Sequence, residues 1–137
     1  AIDRVLAIGK SHGVRRAVPL PVSAPFHCTM MQPAADAMAE ALANVTIKTP
    51  TVPVIANVLA APMTDPDEVR KNLIAQVTGT VRWRESVLYM TANGITDVYE
   101  LGSGKVLAGL VRRIDKALSS AYAGTPEELA ELVTKLK

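Results

Sequence analysis

An α/β layer structure is the fold class that this sequence predicts, on three observations. TDVYEL (96–101) reads as a strand, runs into the glycine turn GSGK, and gives way to the helical pattern VLAGLVRRIDKAL (106–118). SSAYA (119–123) then reads as a short strand and TPEELAELVTKL (125–136) as a further helix. Earlier, the β-branched, proline-punctuated TPTVPVIANV (49–58) precedes helix-forming segments, so strands and helices alternate. That alternation is the pattern of a sheet covered by helices.

Each element has a local reason. AIDRVLAIGKSHG (1–13) is an amphipathic helix, with Ile2, Val5, Leu6 and Ile8 as its apolar face and Gly13 as its stop. Nothing caps its front, which suggests a fragment of a longer chain. RRAVPLPV (15–22) is a short extended run and SAPFHC (23–28) a turn. MMQPAADAMAEALANV (30–45) is rich in helix formers, with Pro33 tolerable in the first turn. The prolines of 49–58 suit a strand at a sheet edge. Thr64 or Asp65 with Pro66 starts the helix DEVRKNLIAQV (67–77), TGTVRW breaks it, and RESVLYMTANG (84–94) is a helix closing at Gly94. Thr125, Pro126 and Glu128 form a capping-box signature for the last helix. No internal repeat is visible.

The bulk numbers narrow the function. A chain of 137 residues suits one domain, which buries roughly two-thirds of its unfolded surface. No apolar stretch reaches the roughly 20 residues of a membrane-spanning helix, and no signal-peptide pattern opens the chain. A single cysteine excludes an internal disulfide and points to the cytoplasm. With 15 basic and 13 acidic residues, the chain lacks the dense basic face of a nucleic-acid protein. Two histidines and one cysteine at unrelated spacing make no metal-ligand set, so no metal is expected.

Several residues invite a chemical role. His27 and Cys28 suggest a thiolate and its base. Neighbours in extended chain project to opposite faces, however, so Cys28 reads as a small buried hydrophobe. LGSGKV (101–106) could cradle a phosphate on a helix N-terminus. Its spacing fits neither the phosphate-binding loop nor the dinucleotide fingerprint, and a tight strand-to-helix connection is favoured. Ser103 lacks the G-x-S-x-G elbow of a nucleophile. His12, near a helix end, is expected to be exposed, and the five methionines are expected to fill the core. Arg112, Arg113 and Lys116 lie on the helix after GSGK, either as a solvated face or as a dock for an acidic partner.

Taken together, PLPVSAPFHCTMMQPAADAMAEAL, PTVPVIANV, QVTGTVRW and YELGSGKVLAGLVRRI resemble successive landmarks of the bacterial malonyl-CoA:acyl carrier protein transacylases. The resemblance runs in order from about residue 2 to the end of the chain. It implies the C-terminal part of an α/β-hydrolase-like core, preceded by the last helix and strand of an inserted ferredoxin-like subdomain. On that mapping residues 1–20 close the subdomain and residues 21–137 complete the large domain.

The resemblance also implies chemistry: malonyl moves from coenzyme A to the phosphopantetheine thiol of acyl carrier protein by way of an acyl-serine, with no cofactor. His27 matches the family's general-base histidine, and Gln76 matches the residue whose main-chain carbonyl orients the ring. Phe26 matches a position that helps select the acyl group. The nucleophilic serine and the arginine that pairs with the malonate carboxylate have no counterpart here, so the missing N-terminal part of the same enzyme is an expected partner. The expected partners are thus acyl carrier protein, malonyl-CoA and that missing part, with no nucleic acid and no membrane. Two alternatives stand beside this: a non-catalytic fragment that docks carrier protein, and a serine hydrolase of related fold.

Overall fold

The computed structural model describes residues 2–19 and 21–136. Among these residues six helices and four strands follow in order: α1 (Ile2–Gly9), α2 (Gln32–Ala43), β1 (Val54–Ile55), β2 (Pro62–Met63), α3 (Pro66–Ala75), α4 (Trp83–Ala92), β3 (Asp97–Leu101), α5 (Val106–Ile114), β4 (Ser119–Ala123) and α6 (Pro126–Lys135). Short 3₁₀ turns follow α1 at Lys10–His12 and precede α2 at Thr29–Met31.

The α/β expectation holds in the second half. β3 and β4 pair in parallel, Asp97 opposite Ser119 through Leu101 opposite Ala123. Parallel neighbours need a crossover, and α5 supplies it. α5 packs on both strands, α4 packs on α5, and α6 packs on β4. Between these layers lie Val87, Val111 and Leu118, with Trp83, Met90, Val98 and Ile114 around them. Val87 is fully buried.

The first half is helix against helix with one small hairpin. Only Val54 and Ile55 of the expected 49–58 strand pair, antiparallel to Met63 and Pro62. Pro50 and Pro53 have no N–H to give to a ladder, which confines the pairing to the residues after them. Ala56, Met63 and Val69 form a second core with Ile47, Val58 and Leu73. α2 packs on α3. The pair is antiparallel: the Arg70 guanidinium donates to Val45 O beyond the end of α2 at 2.8 Å, while the turn before α2 meets the end of α3.

The described residues of 15–22 are non-helical and form no strand pairing, and Leu20, where the first domain was expected to end, lies outside the described residues. Two expectations need correction. The helix after GSGK stops at Ile114, because Asp115 turns extended and its carboxylate accepts the Ala117 N–H at 2.9 Å. That turn lets Leu118 enter the core instead of riding on the helix. The methionines divide: Met63 is buried, whereas Met30 and Met38 are exposed.

Helix starts follow their caps. Asp65 accepts the N–H groups of Asp67 and Glu68, both at 2.9 Å, with Pro66 opening α3. Thr125 and Glu128 form the full capping box of α6. The carboxyl of Glu127 is held below its ordinary value, first by its own backbone N–H and then by Thr125.

Candidate functional site

SAPFHC folds as a compact turn whose backbone presents the imidazole. The Phe26 N–H donates to Ala24 O at 3.0 Å, a three-residue turn that reverses the chain around Pro25. His27 follows in the left-handed region, at φ 58°. Few residues with a Cβ take that conformation, although histidine is among those that do so more readily. Cys28 then returns to extended backbone, φ −143° and ψ 173°, and caps the 3₁₀ turn of Thr29–Met31. The reversal at His27 separates the two side chains: the Cys28 thiol donates to Pro25 O at 3.1 Å. It is half-buried rather than buried, and it makes no hydrogen bond to His27 among the described residues.

The His27 ring meets the end of α3. Its Nδ1 lies 3.0 Å from Gln76 O, across 49 residues of sequence. A carbonyl oxygen only accepts, so Nδ1 is the donor and carries the proton in the neutral ring. Nε2 then holds the lone pair. The supply of this carbonyl follows from helix geometry, since the last carbonyls of a helix have no intrahelical donor. Here Ile74 O accepts from Val77 N at 3.2 Å, Ala75 O accepts from Gly79 N at 3.0 Å, and Gln76 O is left for the imidazole.

Beside this pair the structure adds Asn57 and Arg82, which the sequence did not single out. Asn57 reaches from the turn after β1 to Gln76 Oε1 at 3.5 Å, and its own carbonyl accepts the Arg82 N–H at 2.8 Å. Phe26 is 56% exposed beside His27, so its ring is open to whatever approaches the imidazole. His12 is exposed on the 3₁₀ turn after α1.

The glycine loop is closed upon itself. Gly102 and Gly104 take φ values of 136° and 94°. Glu100, at the end of β3, turns its carboxylate onto the Ala108 N–H at 2.8 Å. One N–H of the α5 N-terminus is thus taken by a carboxylate of the protein, whose charge disfavours a phosphate there. Gly124 presses on the same loop, since a Cβ at that residue would stand 2.9 Å from Gly102 O. Lys105 lies 5.5 Å from the centre of the Tyr122 ring, a cation–π contact.

The three cations of α5 and its end are not equivalent. Arg112 donates through Nε to Ser120 Oγ at 2.9 Å and through Nη2 to Ser120 O at 2.7 Å. It braces the crossover helix against β4. Arg113 and Lys116 are exposed, and no side-chain hydrogen bond or ion pair engages them among the described residues. Among the described residues no three of His, Cys, Asp or Glu gather to hold a metal ion, and no helix is long and apolar enough to cross a membrane. A groove of about 790 Å³ opens between the β1–β2 hairpin, α4 and β3, lined by Trp83, Tyr89, Met90 and Tyr99 among others, with His27 outside it.

No family model matches the chain. Curated relatives do. The malonyl CoA-acyl carrier protein transacylase of Escherichia coli strain K12 is 45% identical over 130 residues, which is 95% of this chain and 42% of that protein. That of Bacillus subtilis strain 168 is 40% identical over 136 residues, 99% of this chain and 43% of that protein. Among solved structures, the acyl-carrier-protein-S-malonyltransferase of Bartonella henselae superposes with a TM-score of 0.86 at 47% identity, over 98% of this chain and 43% of that one. A malonyl-transacylase solved in complex with a type II polyketide acyl-carrier protein gives 0.85 at 35% identity, again over 98% and 43%. The chain spans less than half the length of the relatives it matches.

Proposed function

We propose that this chain, which belongs to the malonyl-CoA:acyl carrier protein transacylase family, supplies the general base of a malonyl transfer from coenzyme A to acyl carrier protein. The observation that carries the reading is the 3.0 Å contact between His27 Nδ1 and Gln76 O. It leaves Nε2 free to take a proton, with a carbonyl standing where a triad would use a carboxylate.

The transfer runs in two balanced halves. His27 Nε2 accepts the proton of a serine hydroxyl as the serine oxygen attacks the malonyl thioester carbonyl. The tetrahedral intermediate collapses, the carbon–sulfur bond breaks, and the imidazolium returns the proton to the departing coenzyme A thiolate. In the second half the phosphopantetheine thiol gives its proton to Nε2 and attacks the acyl-serine, and the serine oxygen leaves with that proton. The serine and the cation for the malonate carboxylate come, on this reading, from residues outside this chain. Phe26 borders the acyl group and limits its size.

Arg113 and Lys116 are proposed to meet the acidic carrier protein, with Arg112 shaping the helix that presents them. The relative solved with its carrier protein supports that class of partner. A cytoplasmic setting suits these substrates.

The test is His27→Gln in the intact protein. Acyl transfer should fall by about 10²–10⁴-fold, the usual worth of a positioned general base. Turnover near that of the unaltered protein would remove His27 from the mechanism. Measuring transfer to carrier protein against hydrolysis of malonyl-CoA separates this reading from a hydrolase.

A further inference from the structure

The carbonyl that holds His27 belongs to the main chain, so its position depends on whatever fixes the turn after α3. That turn is pressed against a second one. Residues 56–60 form a tight turn, with Ala56 O accepting the N–H groups of Leu59 at 3.1 Å and Ala60 at 2.9 Å. Ala60 takes φ 53°, as the reversal there requires. Val58, at the tip, packs into the Ala56, Met63 and Val69 core. Gly79 lies directly against it: a Cβ built there would stand 2.7 Å from Val58 Cγ2 and 3.0 Å from Ala75 O. No φ in the left-handed region explains this glycine, so the close approach is its reason. From the same turn Asn57 holds the Gln76 side chain at 3.5 Å, and Arg82 binds Asn57 O and Leu59 O at 2.8 and 3.1 Å.

We infer that the 56–60 turn is a backstop that sets the Gln76 carbonyl against His27, with Gly79 and Asn57 as its positioning residues. The inference rests on the proposed role of the His27–Gln76 pair. The Gly79 N–H closes the helix end on Ala75 O, one residue before the carbonyl that faces the ring. A side chain at 79 must move either the backstop or this turn. Val58 is anchored in a core, whereas residues 76–79 only cap a helix end, so the turn moves and the carbonyl leaves Nδ1.

The ring nitrogens report this directly. In the intact protein labelled with ¹⁵N-histidine, the His27 signal, assigned by its loss in His27→Gln, should show Nδ1 protonated and Nε2 bare at a pH where the ring is neutral. Gly79→Ala should lose that pattern in favour of mixed tautomers. Adding Val58→Ala removes the Cγ2 contact and should restore the pattern in part. A folded Gly79→Ala protein that keeps the Nδ1–H pattern overturns the backstop. So does a loss that Val58→Ala fails to relieve. If Gly79→Ala does not fold, Asn57→Ala, which adds no atoms, decides in its place: a mixed pattern supports the backstop and an unchanged one overturns it. A bare Nδ1 in the unaltered protein would instead defeat the His27–Gln76 pairing itself, and the backstop with it.

Discussion

Arg112→Glu and Arg113→Glu change the charge of α5 by the same amount, yet they should have different consequences. Arg112 makes two charge-assisted bonds to Ser120, at 2.9 and 2.7 Å, and Ser120 is only 6% exposed. Such bonds contribute about 1.5–3 kcal/mol each, and the lower figure suits a guanidinium that also meets solvent. The loss is therefore about 3 kcal/mol, before counting the repulsion of a carboxylate facing Ser120 O. Arg113 is exposed and engages no partner among the described residues, so its reversal should stay within about 0.5 kcal/mol. In urea, at a slope of about 2 kcal/mol/M, the midpoint of Arg112→Glu should fall by about 1.5 M while that of Arg113→Glu stays put. Carrier-protein kinetics complete the separation. Arg113→Glu, and more so Arg113→Glu with Lys116→Glu, should raise KM for carrier protein at low salt, spare loading from malonyl-CoA, and converge with the unaltered protein at high salt. Equal urea midpoints for the two arginine variants would refute the bracing role of Arg112. An unchanged KM at low salt would refute the dock.

Cys28→Ala should leave acyl transfer near its original rate, because the thiol is turned onto Pro25 O; an inactive but folded variant would return the cysteine to the mechanism. Thr125→Ala should cost about 1 kcal/mol in urea unfolding, since it removes the side-chain acceptor of the Glu128 N–H. In the same variant the Glu127 carboxyl, now held low in part by Thr125, should titrate closer to its ordinary value by NMR. The sign follows: a carboxyl lowered by folding adds stability above its ordinary value, and that share fades as pH falls through the folded value.

The sequence announces those elements whose cause is local. TPEE contains its whole capping box, and the strands beside GSGK keep their expected bounds to within a residue, because turn glycines and caps act over a few residues. Where a distant partner decides, the pattern misleads. IDKAL continues the apolar period of α5, but Asp115 breaks the helix for the sake of Leu118, whose place in the core depends on Val87 and Val111. The site shows the same divide. His27 draws the eye beside Cys28, but only the resemblance gives it a role without the thiol, and the group it meets is a peptide carbonyl that any residue type could offer. Gly79 looks like an ordinary helix breaker until Val58 is brought beside it. Arg112 and Arg113, identical in the sequence, differ only through Ser120.

The left-handed backbone at His27 has an evolutionary and practical side. A residue with a Cβ gives up roughly 1 kcal/mol or more in that conformation, which glycine does not. With φ at 58°, replacement by glycine would relax the turn and discard the imidazole in one step. Libraries sorted by melting temperature alone would thus drift toward glycine at this position, and libraries sorted by acyl transfer would hold the histidine. The two sortings, run side by side, would reveal which demand natural selection has been answering at residue 27.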